Sequence, residues 1–243
     1  MAEPIRIAMW SGPRNISTAM MRSFENRPDT VVEDEPFYAH YLVKTGVDHP
    51  CRIEIIKSQE NDWDIISKRL VGEIPCGKSI WYQKHMGQHN LLGCNLEWTK
   101  KMVNCFLIRN PKEVIVSFNK KFKLTSSKQL GFMQQLDLFK KLKTETGKTP
   151  LVVDAKDILI HPQKILSNIC KNIGIPFMDA MLTWPSGHRE SDGVWGKHWY
   201  QNVKSSTGFY PYNKTNDKPE KIYHEILNEC MDAYNFLKQY SIK

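Results

Sequence analysis

The stretch IRIAMWSGPRNISTAMMRSF, residues 5–24, decides the fold of this chain. It opens with an apolar run that reaches Trp10, which is typical of a buried strand. Ser-Gly-Pro at positions 11–13 then predicts a tight loop. Apolar residues recur at helical spacing from Ile16 to Phe24, so the whole stretch predicts a strand, a loop and a helix.

The loop and the start of this helix predict a cradle for an anion. In a strand-loop-helix unit the loop N–H groups and the helix N-terminus point at one place, most often filled by phosphate. Arg14, Ser17 and Thr18 would add a cation and two hydroxyls there. An ordinary turn, in which Asn15 or Ser17 caps the helix, is the alternative that the stretch alone leaves open.

Length and composition favour a single domain over residues 1–243. The chain has 243 residues, of which 41% are hydrophobic, so it can bury a sizeable core. It contains no apolar run of about 18 residues, and its first ten residues do not resemble a secretory signal. Six scattered cysteines without C-x-x-C pairs indicate free thiols in a reducing compartment. We therefore expect a soluble cytoplasmic protein.

The chain is basic, with a formal net charge of +8. This charge fits an anionic small ligand, but it also fits nucleic acid or an acidic surface. Charge alone does not choose between these classes of partner.

The rest of the chain alternates between strand and helix patterns, which predicts a three-layer α/β/α fold with a mainly parallel central sheet. Asp217 is the expected cap of a C-terminal helix, and Glu220 its expected support. The segment 183–217 is predicted to be an aromatic-rich loop with a functional or packing role. We expect strands near 30–32, 79–85, 104–108 and 150–154, and further helices near 61–71, 111–118, 126–143 and 163–173.

Two segments that follow predicted strands offer side chains for a pocket. Acidic and aromatic residues at 33–41 would form a pocket wall at the carboxyl edge of the sheet, or else the start of a helix with core contacts. Lys84 and His85 end another strand. A histidine there suits catalysis, although a hydrogen-bonded structural role is an equally open interpretation.

A second strand-to-helix unit lies at FLIRNPKEVIVSF, residues 106–118. It places Arg109 at the strand end and Ser117 eight positions later, about two helical turns along. An arginine offers a charge-assisted fork to a phosphate, and a nearby hydroxyl completes the site. This unit therefore predicts a second phosphate contact.

These motifs resemble those of sulfotransferases that use 3′-phosphoadenosine 5′-phosphosulfate. PRNIST at 13–18 resembles their loop P-[KR]-S-G-[ST]-[ST], with Asn15 and Ile16 in place of Ser and Gly. Residues 109–118 resemble R-[ND]-P-x-x-x-x-x-S-[YF], and residues 151–177 resemble a strand and helix block that ends in L-G-[IVL]-P-F. The loop also resembles Walker A, but Thr18 stands where that motif has lysine.

The resemblance implies a P-loop-NTPase-like sulfotransferase fold and transfer of a sulfonyl group to a small acceptor, with a hydroxyl as the expected nucleophile. Adenosine 3′,5′-bisphosphate would be released, and no metal is expected. Arg14 would neutralise the leaving phosphate, while Arg109 and Ser117 would hold the 3′-phosphate. The 5′-phosphate would be held by Asn15, Ile16, Ser17 and Thr18.

The resemblance also implies a base that accepts the acceptor proton. His85 is the first choice, since Lys84-His85 stands where many sulfotransferases have Lys-x-His, and Glu35 is the second. No R-K-G loop occurs near the C-terminus. Its nearest substitutes for donor binding are Lys204, Ser206, Thr207 and Gly208, and the expected acceptor-binding residues are Glu35, Phe37, Tyr38, Tyr41 and His85.

Other functions stay open at this point. A P-loop nucleotide or small-molecule kinase fits the fold pattern, but the missing Walker lysine argues against it. A non-catalytic nucleotide- or nucleic-acid-binding protein fits the charge but leaves the Arg109 and Ser117 pair unexplained, and a pseudoenzyme that binds the donor without transfer is a further alternative. We expect a small-molecule acceptor as partner, neither membrane nor nucleic acid, and either a monomer or a homodimer.

Overall fold

The computed structural model describes residues 4–214 and 217–243, which contain one parallel sheet of five strands. The strand order is β2-β3-β1-β4-β5, and all four neighbouring pairs are parallel. The chain forms β2 and β3 on one side of β1 and then β4 and β5 on its other side. A ligand crevice is therefore expected at the carboxyl end of β1. The strands are β1 (Ile5–Ser11), β2 (Thr30–Asp34), β3 (Ile80–Met86), β4 (Val103–Ile108) and β5 (Leu151–Asp154).

Helices cover both faces of this sheet. The side chain of Asn110 caps one of them by accepting the backbone N–H of Lys112, and Gly174 ends another with a φ of 79°. The helices are α1 (Ser17–Glu25), α2 (Tyr38–Thr45), α3 (Arg52–Ser58), α4 (Trp63–Leu70), α5 (Pro111–Asn119), α6 (Phe132–Thr146), α7 (Ala155–Ile160), α8 (Pro162–Ile173), α9 (Gly196–Trp199), α10 (Gln201–Lys204) and α11 (His224–Lys238).

The alternation of side chains along β1 separates two hydrophobic cores. Ala8 and Trp10 belong to the core that α4, α5, α6 and α11 cover, whereas Ile7 and Met9 belong to the core under α1, α7 and α8. All four side chains are buried, and complete burial of a side chain such as Ile7 or Met9 contributes about 1.5–3 kcal/mol. The predicted three-layer α/β/α architecture is confirmed.

Several predicted elements differ in detail. The helix predicted over 126–143 is broken at Gly131, whose φ of 70° separates a 3₁₀ turn from α6. α3 and α7 were not predicted, α2 matches the alternative of a helix start at 33–41, and the aromatic loop 183–217 contains the short helices α9 and α10. The prediction that Asp217 caps the last helix is wrong, because a 3₁₀ turn at Lys221–Tyr223 precedes α11 and Tyr223 occupies its N-cap.

All six cysteines are free thiols, as predicted. Among the helices that the structure describes, none combines the length and the apolar character needed to cross a membrane.

Candidate active site

A cavity of about 630 Å³ opens at the carboxyl ends of β1 and its neighbours in the sheet. Two groups of residues in its lining are defined here. The cradle comprises residues 13–19 with Arg109 and Ser117. The aromatic end comprises Glu35, Tyr38, Tyr41, His49, Lys84, Met86, His89, Phe118, Phe122, Trp199 and Tyr200.

The cradle begins with an unusual backbone at the start of α1. Ile16 occupies the N-cap in the left-handed conformation, with a φ of 46°, and no side chain caps the helix. The alternative of a helix capped by Asn15 or Ser17 is therefore wrong. Arg14 also has a positive φ, at 59°. Such backbone costs about 1–3 kcal/mol for each residue and is concentrated at functional sites.

The two predicted phosphate motifs meet in the cradle. The Nε of Arg14 donates to the hydroxyl of Ser117 at 3.0 Å, although the two are 103 positions apart. Nη1 of Arg109 donates to the backbone oxygen of Arg14 at 2.8 Å, while its Nε donates to Glu113 at 3.0 Å. Burial, and then the charge of Arg109, lower the pKa of Arg14. An anion between these two cations would relieve their repulsion.

The cradle loop is also tied to its surroundings by packing. Asn15 is buried, and its side chain donates to the backbone oxygen of Leu107 at 2.5 Å, which fixes the loop to β4. Gly12 lies so close to the segment before α6 that a Cβ there would collide with the backbone oxygen of Leu130. A glycine is required at position 12 for this close approach. Ser17 and Thr18 line the cavity, as expected for the cradle.

A buried ionic cluster lies at the start of the aromatic end. The Nζ of Lys84 donates to Asp34 at 2.8 Å, to Glu35 at 2.5 Å and to the hydroxyl of Tyr200 at 2.9 Å. That hydroxyl donates to the other oxygen of Asp34 at 2.6 Å. The indole N–H of Trp195 donates to the same hydroxyl at 3.0 Å. The cluster thus ties β2 and β3 to the segment that contains α9.

The cluster has one group that titrates near neutrality. Burial raises the pKa of Glu35 to about 7, against the opposing effect of Lys84. The pKa of Lys84 is raised well above its usual range, because Asp34 and Glu35 outweigh the opposing effect of burial. Lys84 therefore remains charged while Glu35 exchanges a proton near pH 7, which suits a general base or acid.

The choice of His85 as the base needs correction, because His85 does not line this cavity. It is 1% exposed, its Nε2 lies 3.2 Å from the side-chain oxygen of Gln83, and its ring stacks on Trp10 at a centroid distance of 4.4 Å. Burial lowers its pKa to about 3. Side chains alternate along a strand, so Lys84 and Met86 face the cavity while His85 faces the opposite core.

Of the predicted acceptor residues at the start of α2 and just before it, two line the cavity and one does not. Phe37 is 2% exposed and stacks on Trp63 at a centroid distance of 4.0 Å, so it is a core residue. This corrects its assignment to the acceptor site, because the alternative of a helix start with core contacts holds for Phe37. Tyr38 and Tyr41 line the cavity together with Glu35, as predicted.

Sequence reasoning missed His89, which lies in the turn after β3. It lines the cavity, is 3% exposed, and its ring stacks between Tyr38 and Tyr41 at centroid distances of 4.7 and 4.9 Å. Its Nε2 lies 3.9 Å from Oε2 of Glu35. Burial, and then the charge of Lys84, lower its pKa well below the usual range, so the ring is neutral at physiological pH.

A further wall of the cavity was predicted only in part, because the sequence indicated the aromatic segment that contains Trp199 but neither Phe122 nor His49. The ring of Phe122 packs on Trp199 at a centroid distance of 4.2 Å, and His49 lies 5.2 Å from Trp199. The hydroxyl of Tyr38 lies 2.9 Å from Nε2 of His49, which joins this wall to α2. The aromatic end can thus hold a planar or apolar body beside the polar groups of Glu35 and His89.

The C-terminal residues assigned to donor binding are divided. Ser206 and Gly208 line the cavity, but the hydroxyl of Ser206 donates to Val203 and accepts the indole N–H of Trp184 at 3.1 Å. Lys204 and Thr207 do not line it, which corrects their assignment. The reason is that α10 and the following turn direct the chain so that residues 208–213 form the wall instead.

Within residues 4–214 and 217–243, no group of three or more histidine, cysteine, aspartate or glutamate side chains is arranged to hold a metal ion.

Comparison with known proteins identifies relatives of almost the whole chain. A family model described as a sulfotransferase domain matches residues 5–241. Two proteins of Arabidopsis thaliana, named branched-chain-amino-acid aminotransferase-like proteins 1 and 2, are 34% and 33% identical over 240 and 232 residues. These matches cover 99% and 96% of this chain but 43% and 41% of the relatives. The chain thus spans about two fifths of the length of the curated relatives it matches.

Solved structures with the same fold are more distant in sequence. The sulfotransferase domain of the olefin synthase from Synechococcus PCC 7002 has a TM-score of 0.53 and 16% identity, covering 94% of this chain and 95% of that one. A sulfotransferase from Alicyclobacillus acidocaldarius has a TM-score of 0.58 and 10% identity, covering 98% and 96%. At these identities the likeness concerns the fold, and it confirms the predicted sulfotransferase fold.

Proposed function

The chain belongs to the sulfotransferase domain family, and from that premise we propose that it transfers a sulfonyl group from 3′-phosphoadenosine 5′-phosphosulfate to a small hydroxyl acceptor. The second product would be adenosine 3′,5′-bisphosphate. The observation that carries this proposal is the meeting of Arg14, Arg109 and Ser117 at the uncapped start of α1. Two cations, a hydroxyl and a helix N-terminus at one point favour a ligand with several negative charges.

The residues of the cradle fit the phosphate groups of this donor. Its backbone N–H groups point outward from the first turn of α1, where no side chain competes for them. Arg14 is placed to offset negative charge on the leaving phosphate, and Arg109 to select a ligand with a second phosphate. The donor would supply the activated sulfonyl group, so the protein's contribution is to position and stabilise charge.

The aromatic end supports a hydroxyl acceptor. Glu35 lines the cavity and has a pKa of about 7, which matches a base that works near neutral pH. This was the second choice from the sequence, and it takes the role because His85 lies in the opposite core. Tyr38, Tyr41 and the Phe122 wall would hold the body of the acceptor.

A calorimetric titration tests the donor assignment. We expect adenosine 3′,5′-bisphosphate to bind tightly without a metal, and ATP with Mg²⁺ to bind much more weakly. A kinase would show the reverse preference. Stronger affinity for an oligonucleotide, falling steeply with salt, would instead favour the nucleic-acid alternative. Binding of neither nucleotide would contradict the proposal.

Replacement of Arg109 tests how the second phosphate is recognised. Arg109→Ala should weaken the bisphosphate by roughly 10- to 100-fold, because a charge-assisted hydrogen bond is worth about 1.5–3 kcal/mol. Affinity for adenosine 5′-phosphosulfate, which lacks the 3′-phosphate, should change much less. Lys112→Ala, at an exposed lysine outside the cavity, is the matched control for loss of one positive charge. Equal losses for both nucleotides would contradict the role of Arg109.

A further inference from the structure

Nε2 of His89 and Oε2 of Glu35 lie 3.9 Å apart in the cavity lining, and we call the gap between them the notch. The proposed function assigns no role to His89. We propose that the hydroxyl oxygen of the acceptor binds between Oε2 of Glu35 and Nε2 of His89, so that Glu35 takes its proton and His89 holds the oxygen. This inference rests on the proposed function and adds a residue, His89, to its machinery.

The distance across the notch fits one oxygen atom. Nε2 of His89 and Oε2 of Glu35 are 3.9 Å apart, too far for a direct hydrogen bond. An oxygen at a usual hydrogen-bond distance of about 2.8 Å from both atoms would subtend an angle of about 90° between them. A hydroxyl can meet both contacts, since it donates one proton and accepts through its lone pairs. A lone pair then remains for attack on sulfur.

The carboxylate of Glu35 is held through one of its oxygens, and the other accepts no hydrogen bond from residues 4–214 or 217–243. Its Oε1 accepts from Lys84 at 2.5 Å, and its backbone oxygen accepts from the side chain of Gln59 at 3.1 Å. Its φ of 45° lies in the left-handed region, which an L-residue adopts at a cost of about 1–3 kcal/mol. Surrounding contacts thus impose the position of Glu35, as expected where a functional group must be oriented.

The ring of His89 is equally fixed. It is stacked between Tyr38 and Tyr41, with interplanar angles of 29° and 28°. These stacking contacts use the faces of the ring and leave its edge to interact with a ligand, and Nε2 on that edge lies 3.9 Å from Oε2 of Glu35. A neutral imidazole in this place can donate an N–H to the acceptor oxygen without adding a charge.

The alternation of β3 explains why this histidine is needed. In the pattern Lys-x-His both side chains face the same side of a strand, and in this chain that position holds Met86. Met86 lines the cavity but has no proton donor or strong acceptor. His89, one short turn later, brings an imidazole back to the same cavity.

The proton and electron changes balance with these residues alone. The acceptor oxygen forms a bond to sulfur while the bond between sulfur and the bridging oxygen of the 5′-phosphate breaks. The leaving bisphosphate keeps the electron pair of that bond, and the hydroxyl proton moves to Oε2 of Glu35. Lys84, already bonded to the other carboxylate oxygen, remains charged throughout. No oxidant, reductant or further reactant is required.

Several charged or titratable groups face Glu35. Lys84 attracts a negative charge on Glu35, whereas Asp34 disfavours it, and His89 and Tyr200 contribute neutral dipoles. Burial of the carboxyl group dominates and raises its pKa to about 7. The carboxyl group is therefore able both to receive a proton during turnover and to release it to solvent afterwards.

The test compares three variants of the full chain. Glu35→Gln removes the base, and His89→Phe keeps a ring between the two tyrosines but removes Nε2. His40→Gln is the matched control, because His40 is also buried but bonds to the backbone of Asn61 and lies outside the cavity. Each variant is titrated with adenosine 3′,5′-bisphosphate, and bisphosphate release from the donor is then measured with phenol, a primary alcohol or water as acceptor.

We expect Glu35→Gln to slow release by about 100-fold or more, and His89→Phe by roughly 10- to 100-fold. Bisphosphate affinity should stay within about threefold, and His40→Gln should behave as the wild type. Normal release by His89→Phe, or an equal loss in His40→Gln, would overturn the notch while leaving the proposed function intact. The notch would also be overturned if the wild type binds the bisphosphate but forms none from the donor with any of these hydroxyl acceptors. Failure of the wild type to bind the bisphosphate would instead overturn the proposed function.

A second measurement needs no turnover. In ¹⁵N-histidine NMR spectra, the His89 signals are those lost in His89→Phe, and their shifts report the tautomer and the protonation state. We expect a neutral ring from pH 5.5 to 8 and a shift at Nε2 when Glu35→Gln is introduced. A His89 ring that becomes charged above pH 6, or that does not respond to Glu35→Gln, would contradict the arrangement.

Discussion

The cradle and the aromatic end share one cavity but are built in different ways. The cradle comes from two strand-to-helix units, and in each unit one short segment, residues 13–19 or residues 109–117, provides the contacts. The aromatic end collects side chains from the segments 35–41, 47–50, 84–89, 118–123 and 199–203. A site formed by short local segments can therefore be predicted from the sequence. A site formed by side chains from distant segments depends on how those segments pack, which the sequence pattern does not give.

The largest effect that would test this comparison is expected from Arg14, whose position the sequence alone indicated. Arg14→Ala should reduce turnover by about 10³-fold, close to 4 kcal/mol of transition-state stabilisation, because in the proposed mechanism it removes the charge nearest the leaving phosphate. Steady-state kinetics would measure this loss. Arg14→Lys should recover part of the rate, since it restores the charge without the planar fork. A fall in affinity with unchanged turnover would place Arg14 in ground-state binding only.

The second-largest effect concerns the buried cluster that holds the aromatic end. Asp34→Asn should lower the free energy of unfolding by about 3 kcal/mol, because Lys84 and the Tyr200 hydroxyl both lose a charged partner in the interior. Denaturant unfolding would measure the change. Amide hydrogen exchange should increase in residues 193–204, which the cluster fastens to the sheet, and should change little in the cradle.

The neighbouring residue provides the control for Asp34. Glu33 lies on the same strand but pairs with Arg69, whose side chain is 48% exposed. Glu33→Gln should change the free energy of unfolding by less than about 1 kcal/mol, as is usual for exposed ion pairs. Similar losses in the two variants would show that burial of the Asp34 cluster carries no special weight.

The comparison of the two parts also explains what sequence reasoning could and could not give. The fold and the cradle loop follow from local patterns, and the meeting of Arg14, Arg109 and Ser117 follows from the resemblance to sulfotransferase motifs. Sequence reasoning placed His85 in the site because Lys84-His85 ends a strand and resembles Lys-x-His, and a histidine there has no local mark of the face that it occupies. The pleat decides that face, so the position of Lys84 already implied Met86 rather than His85.

The remaining residues of the aromatic end had weaker signals. His89 follows a glycine after a strand, which marks a turn but not its direction. Phe122 and Trp199 approach each other from segments 77 positions apart, and no periodic pattern links them. Side chains of this kind are found only when the packing of α2, α5 and α9 is known.

A smaller effect is expected from pH. In the proposed mechanism the base is active when Glu35 is deprotonated, and the pKa of about 7 means that the active fraction increases about tenfold between pH 6 and pH 8. Turnover at saturating donor should therefore rise with pH and level off above neutrality. Glu35→Gln should lack this inflection. The same inflection in the variant would assign the titration to another group of the aromatic end.

The smallest effect tests whether the cradle backbone is set locally or by its surroundings. Ile16→Gly removes a β-branched residue from a left-handed conformation, which relieves about 1–2 kcal/mol of strain, but it also loses a half-buried side chain and adds glycine's entropy. These contributions nearly cancel, so the free energy of unfolding should change by less than about 1 kcal/mol. Ile169→Gly, at a fully buried position of α8, should cost at least about 3 kcal/mol. If Ile16→Gly proves as costly as Ile169→Gly, the side chain rather than the backbone shape holds the cradle. If instead the free energy of unfolding changes little and bisphosphate affinity is retained, position 16 needs only its conformation.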